Sequence, residues 1–224
     1  MLDVAGIRGS KTVHFIRHGE GHHNVAGDQD YAAYKSEAFF DASLTDKGWH
    51  QVDELKRQLQ AVDLVVSSPL TRALQTAVGL FIREAPIVAC ELCREHLGVH
   101  PCDRRRTRTQ CKERFPTVDF GEIADEEDTL WKPEQRETHE EVVTRARRFL
   151  RWCSVFASED ANYAANMLAL LRRLSDRPEQ TIAVVGHGSF FHIAWQTFFA
   201  GKTPDWPRNC EVQTMSLTLE TSTV

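Results

Sequence analysis

A layered α/β fold, with a mostly parallel central sheet and helices on both faces, is the class this sequence predicts, and three observations predict it. Short β-branched apolar runs alternate with amphipathic stretches of helical period, the pattern of a buried sheet whose crossovers are helices. Three of those runs stop at turns rich in glycine, serine and basic residues. The chain has 224 residues, 42% of them hydrophobic and 26% charged. That is enough to bury one large core, so a single domain over 1–224 is expected.

The first strand is Val13-His14-Phe15-Ile16, which ends at Arg17-His18-Gly19. A polar stretch follows without an assigned element. Thr45 is a good N-cap, and Gly48, Val52, Leu55 and Leu59 recur at helical spacing behind it. Leu64-Val65-Val66 is the second strand. Ser68-Pro69 then predicts a helix start, with Ser as cap and Pro at the first position, and Leu70, Ala73, Leu74, Ala77 and Phe81 as its inner face. Ile87-Val88-Ala89 is the third strand.

From about 90 to 136 no period is sustained, and a basic block (Arg104, Arg105, Arg106, Arg108, Lys112) precedes an acidic one (Glu122, Asp125, Glu126, Glu127, Asp128). A stretch this long usually carries function, so it reads as a lid-like excursion inserted in the domain. The other reading is that the two blocks solvate or neutralise each other. Thr138 and Glu141 have capping-box spacing, and Val142, Ala146, Phe149, Cys153 and Phe156 step by four and three, which predicts a helix over 138–157. A further helical stretch with Met167, Leu168, Leu171 and Leu174 ends before Pro178. Thr181-Ile182-Ala183-Val184-Val185 is the strongest strand. It runs into Gly186-His187-Gly188-Ser189, where the last helix begins with Phe190, Ile193, Ala194 and Phe198 facing inward.

Composition excludes several classes. Lys+Arg number 27 against 32 Asp+Glu, a formal net charge of −5 that argues against a general nucleic-acid binder. No apolar run approaches the ~20 residues of a membrane span. Any anion must therefore be met in a local pocket. Met1 to Gly6 carry an early acid and no apolar core, and six cysteines suit reduced thiols better than a disulfide framework, so the cytoplasm is the expected compartment.

Ligands of open α/β sheets bind at the carboxyl ends of the strands. There this chain places Arg17-His18-Gly19, Ser67-Ser68-Pro69-Leu70-Thr71-Arg72 and Gly186-His187-Gly188. Two histidines and two arginines converging on one edge have the charge and geometry of a phosphate site, since guanidinium forks match phosphoryl oxygens and flanking glycines let the backbone approach. Arg17-His18-Gly19-Glu20, Asn24, Leu44-Thr45-Asp46-Lys47-Gly48, Ser68 to Thr76 and Gly186-His187-Gly188 occur in an order that resembles the histidine phosphatase superfamily, in the branch of the cofactor-dependent phosphoglycerate mutases and many small phosphatases. Residues 94 to 106 and 130 to 138 are similar to a subgroup of phosphoglycerate-mutase-like proteins of plants and fungi.

The resemblance implies a phosphoglycerate mutase-like fold and a metal-independent, cofactor-free phosphatase acting on a phosphorylated small metabolite. It makes His18 the nucleophile, with Arg17, Asn24, Arg72 and His187 around the phosphoryl oxygens. Glu95, in Arg94-Glu95-His96-Leu97-Gly98, is the expected proton donor, and Glu91 is the fallback. Glu20, Arg104, Arg105 and Arg106 are candidate substrate contacts. His22, His23 and His192 receive no assigned role, although the first two are placed at the pocket entrance. Two other functions stay open. One is mutase-type transfer through the same phosphohistidine. The other is a zinc-stabilised binding module using Cys90, Cys93, His96, His100, Cys102 and Cys111, for which the Cys90-x-x-Cys93 spacing is the only close ligand couple.

Overall fold

In a computed structural model, which describes residues 10–154, 179–198 and 205–218, six strands form one sheet in the order β4-β3-β2-β5-β1-β6. The strands are β1 (Ser10–Arg17), β2 (Leu64–Ser67), β3 (Ile87–Ala89), β4 (Val118–Asp119), β5 (Thr181–Gly186) and β6 (Val212–Thr218). All pairings are parallel except β1 with β6. Strand alternation sends side chains to opposite faces. Ile16, Val65, Ala183 and Val185 enter one buried cluster with helices α2 (Asp46–Lys56) and α3 (Thr71–Phe81). Phe15, Val66, Ile182 and Val184 enter the other, with α5 (His139–Ser154) and α6 (Gly188–Phe198). Helices therefore cover both faces, as the alternation of runs predicts.

Local chemistry accounts for the element ends. Thr45 caps α2 by accepting from the Gly48 amide at 3.0 Å. Thr138 and Glu141 exchange the expected capping-box bonds at the start of α5. α3 starts at Thr71, not at Ser68-Pro69. Ser68 is drawn to another partner in the site, and Asp41, buried on a neighbouring loop, takes over the cap by accepting from the Thr71 amide at 2.8 Å.

Helix α1 (His22–Gln29) occupies the stretch without an assigned element, and it buries only His23 and Asn24. The antiparallel edge strand β6 is a second addition to the predicted set. The helical stretch around 167–174 lies outside the described residues. The excursion is part sheet and part cover. β4 extends the sheet beside β3, and Cys111, Val118, Phe120 and Ile123 enter the α2/α3 core. Helix α4 (Arg108–Arg114) precedes that strand, with a complete capping box at Thr107. No described helix is long and apolar enough to cross a membrane.

Candidate active site

Strand register builds the site. Arg17 pairs with Gly186 and Ser67 with Val185, and the next residues continue the ladder: His18 N–H donates to the Gly186 carbonyl and Ser68 N–H to the Val185 carbonyl. His18, Ser68 and His187 thus leave three adjacent parallel strands at one level. The His18 and His187 rings lie 5.1 Å apart. His187 Nε2 is 2.8 Å from the Ser68 hydroxyl, and its Nδ1 is buried without a partner.

Both His18 nitrogens can be assigned from their neighbours. Nδ1 lies 2.6 Å from the Gly19 carbonyl, which can only accept, so Nδ1 carries the proton. Nε2 is left with its lone pair and accepts from Arg72 Nε at 3.2 Å. Burial, then the charges of Arg72 and Arg17, hold the His18 pKa well below its ordinary value of 6.5. His18 is a neutral imidazole with a basic nitrogen facing a guanidinium.

Arg72 is buried, and all three of its nitrogens are engaged. Nη1 donates to the Cys102 carbonyl at 2.5 Å and Nη2 to Asp103 Oδ1 at 2.8 Å. The same Asp103 receives Arg136 on its other oxygen at 3.0 Å. Arg17 donates through Nη1 to the Pro207 carbonyl at 2.8 Å and buries Nε without a partner. The segment after α6 reaches His18 as well, since Asn209 Nδ2 donates to the His18 carbonyl at 3.0 Å. Thr76 links loop to helix, accepting from Gly19 N–H and donating to the Arg72 carbonyl.

Glu95 lies at the amino end of α6, immediately after His187. Its carboxylate accepts from the amides of Ser189 at 3.2 Å and Phe190 at 3.1 Å, and its charge acts on Arg17. Asn24 follows His23 on α1. Its Oδ1 accepts from the Gly21 amide. His23 is buried beside His18 with ring centroids 5.7 Å apart, deeper than the entrance position expected of it. His22, by contrast, is exposed.

The remaining expected contacts are committed elsewhere. Glu20 accepts from Thr45 Oγ1 at 2.9 Å and from Lys47 Nζ at 2.7 Å, which turns it toward the start of α2. Arg105 is not available to a substrate. Its buried guanidinium donates to Glu91 at 2.7 Å and to the carbonyls of Asp125, Arg106, Glu126 and Glu127. Arg104 pairs with Glu37 at 2.7 Å and lies over the Phe40 and Trp131 rings, and Arg106 lies 3.0 Å from Asp41. Glu91 fails as a fallback proton donor because Arg94 and Arg105 hold its two oxygens. Asp128 accepts from both terminal nitrogens of the same Arg94. Arg104, Arg105 and Arg106 therefore find their carboxylates outside the acidic block, while Arg108 reaches Glu126 across the two blocks at 3.6 Å.

The thiol cluster divides between the two cores. Cys90 and Cys93 pack with Val66 and Phe191 on one side of the sheet, and Cys111 with Val65 on the other. Among the described residues no three His, Cys, Asp or Glu side chains are grouped to hold a metal ion.

Ser68, His23, Asp103 and the Cys102 carbonyl are site groups that sequence reasoning missed. Ser68 had a signal, since it stands at a strand end like both histidines. Asp103 had none, because nothing in its neighbourhood indicates that it meets Arg72 across 31 residues of chain.

A family model for the histidine phosphatase superfamily, branch 1, matches residues 13–222. A phosphoglycerate mutase-like protein of Arabidopsis thaliana is 36% identical over 247 aligned positions, covering 92% of this chain and 83% of the relative. A probable phosphoglycerate mutase of Arthroderma benhamiae is 28% identical, over 78% of this chain and 58% of its own. Among solved structures, the fold is similar to a mycobacterial glucosyl-3-phosphoglycerate phosphatase (TM-score 0.54, 21% identity, 92% and 90% covered). It is likewise similar to a phosphoglycerate mutase of Bacillus anthracis (TM-score 0.57, 14% identity, 93% and 88% covered).

Proposed function

The chain belongs to branch 1 of the histidine phosphatase superfamily, and from that membership we propose that it hydrolyses a phosphomonoester of a small metabolite through a phosphohistidine on His18. The observation that carries the proposal is the tautomer of His18. With Nδ1–H committed to the Gly19 carbonyl, Nε2 is an unprotonated nucleophile at neutral pH.

In the first step Nε2 attacks phosphorus and the bond to the ester oxygen breaks. Arg72 turns its Nε–H from His18 to a phosphoryl oxygen, Arg17 supplies further positive charge where negative charge spreads, and neutral His187 adds an N–H donor. Asn24 adds another donor to the same oxygens. Glu95, whose carboxylate takes up a proton as the anionic ester binds, gives that proton to the departing alkoxide. In the second step the Glu95 carboxylate takes a proton from water, water oxygen bonds to phosphorus, and the P–N bond breaks to release inorganic phosphate. Amide donors at the start of α6 hold Glu95 in position for both transfers.

Hydrolysis is favoured over mutase-type transfer by the pairing of the excursion arginines. A phosphoglycerate carries a second anionic group, and Arg104, Arg105, Arg106 and Arg136 each already have a carboxylate partner. The free thiols of Cys90, Cys102, Cys111 and Cys210 support a reducing compartment such as the cytoplasm.

Brief reaction with 32P-labelled phosphomonoester followed by denaturing quench is expected to trap an acid-labile, base-stable phosphoryl group on the wild type and none on His18→Ala. Turnover without a trapped intermediate, or label persisting in the variant, would overturn the assignment.

A further inference from the structure

A continuous series of rings leads outward from His18. His23 lies 5.7 Å from His18, Tyr34 lies 6.0 Å from His23, and Tyr34 stacks on His100 at 5.5 Å with 23° between the planes. Tyr31 closes the outer end, 5.3 Å from Tyr34 and 6.0 Å from His100. Exposure is lowest beside His18 and highest at the outer end: His23 is 4% exposed, Tyr34 is half-buried, His100 is 8% exposed and Tyr31 68%. One end of this wall is thus the nucleophile and the other is solvent.

The chemistry of the wall is flat and neutral. Burial disfavours a proton on His23 and on His100. The charges of Arg136 and Lys35 act on His100 from its flank, but the excursion guanidiniums are already engaged. Arg136 is held by Asp103 and the Gly98 carbonyl, and Arg104 by Glu37. A leaving group bearing a second phosphate or a carboxylate would find no uncommitted guanidinium among these. A planar ring would find π faces and edges at stacking distance.

Resting on the reading of His18 as phosphoryl acceptor, we propose that Tyr31, Tyr34 and His100 form a subsite for an uncharged aromatic ring on the leaving alcohol, so that the preferred substrates are ring-bearing phosphomonoesters. Two attachments of the ring share this chemistry, directly on the ester oxygen as in an aryl phosphate or beyond a sugar as in a nucleoside monophosphate.

The test compares phenyl phosphate and adenosine 5′-monophosphate with glycerol 3-phosphate, as kcat/KM, in wild type, Tyr31→Ala and Tyr31→Phe. At least one ring-bearing ester is expected to exceed glycerol 3-phosphate by about tenfold or more, and the better of the two identifies how the ring is attached. Aromatic stacking is worth roughly 1–3 kcal/mol by alanine substitution, so Tyr31→Ala should lower that ratio by at least about fivefold while Tyr31→Phe keeps it. Tyr31 is exposed, so its replacement leaves the core intact.

Calorimetric binding of phenylphosphonate against methylphosphonate supplies a readout without turnover. Selective phenylphosphonate binding that Tyr31→Ala abolishes supports the subsite even if no ester is cleaved, in which case only the hydrolytic reading falls. Phosphate release with equal kcat/KM for ring-bearing and ring-free esters, or a ratio untouched by Tyr31→Ala, overturns the subsite and leaves the hydrolytic reading standing. Failure of both phosphonate discrimination and turnover overturns both.

Discussion

Asp103 shows how much of a phosphate site can depend on a residue that touches no phosphate. It holds one end of the Arg72 guanidinium at 2.8 Å while Arg72 Nε reaches His18, and Arg136 on its other oxygen leaves the trio with one net positive charge. Asp103→Asn removes a charge-assisted bond, worth roughly 1.5–3 kcal/mol. The expected result is a fall in kcat/KM of about ten- to a hundredfold while the circular dichroism spectrum stays native, and wild-type kinetics in the variant would show that Arg72 needs no such anchor. Residues of this scale were legible in the sequence when they announced themselves at strand ends. Arg17, His18 and His187 did so through the glycines beside them, and Arg72 through its place just inside the helix after β2. Asp103, and the burial of His23 against His18, were not legible, because each depends on a tertiary contact that no local pattern encodes.

At the scale of elements, the hinge of the site is a backbone contact between the loop after β1 and the first turn of α2. A Cβ on Gly48 would collide with the Glu20 carbonyl, and one on Gly19 would come within 2.8 Å of the Gly48 carbonyl. No side chain can give way there, so the two segments would have to separate. Gly48→Ala is expected to destabilise the fold by about 1–3 kcal/mol and to lower activity by displacing Gly19, whose carbonyl sets the His18 tautomer. Urea denaturation read with phosphatase assays checks this, and an unchanged midpoint would mean that the contact relaxes freely. Periodicity found α2, α3, α5 and α6 because each has a buried apolar stripe. α1 escaped it for want of one, and β6 is a polar edge strand whose paired side faces only β1. β4 was hidden by its brevity, since two residues give no alternation.

For the whole molecule, burying three neutral histidines ties stability to pH. His18, His23 and His187 all have pKa values well below 6.5 in the folded state, first because burial disfavours the charged ring and then because Arg72 repels it. The unfolded chain binds protons near 6.5 that the folded chain does not. Stability is therefore complete above that pH and declines below it, by about 1.4 kcal/mol per pH unit for each histidine until the folded ring itself protonates. Asp41, raised chiefly by burial, works in the opposite sense but titrates from the carboxylate range upward, so it offsets only part of the loss. Urea midpoints between pH 7.5 and 5 should fall steadily, and a flat profile would contradict the neutral assignment. The layered α/β architecture and the convergence of its strand ends were fully legible from the alternation of runs. The division of labour within 90–136 was not, because charge blocks look alike whether they meet ligand, each other or carboxylates elsewhere in the chain. That division has a consequence for engineering. Arg72 arises from a sheet-covering helix yet is fastened to the carbonyl of Cys102 and to Asp103, so part of the proposed phosphate grip belongs to the excursion. Exchanging this segment between relatives to graft a new selectivity would transplant half a catalytic clamp with it, and the excursion is not a modular part.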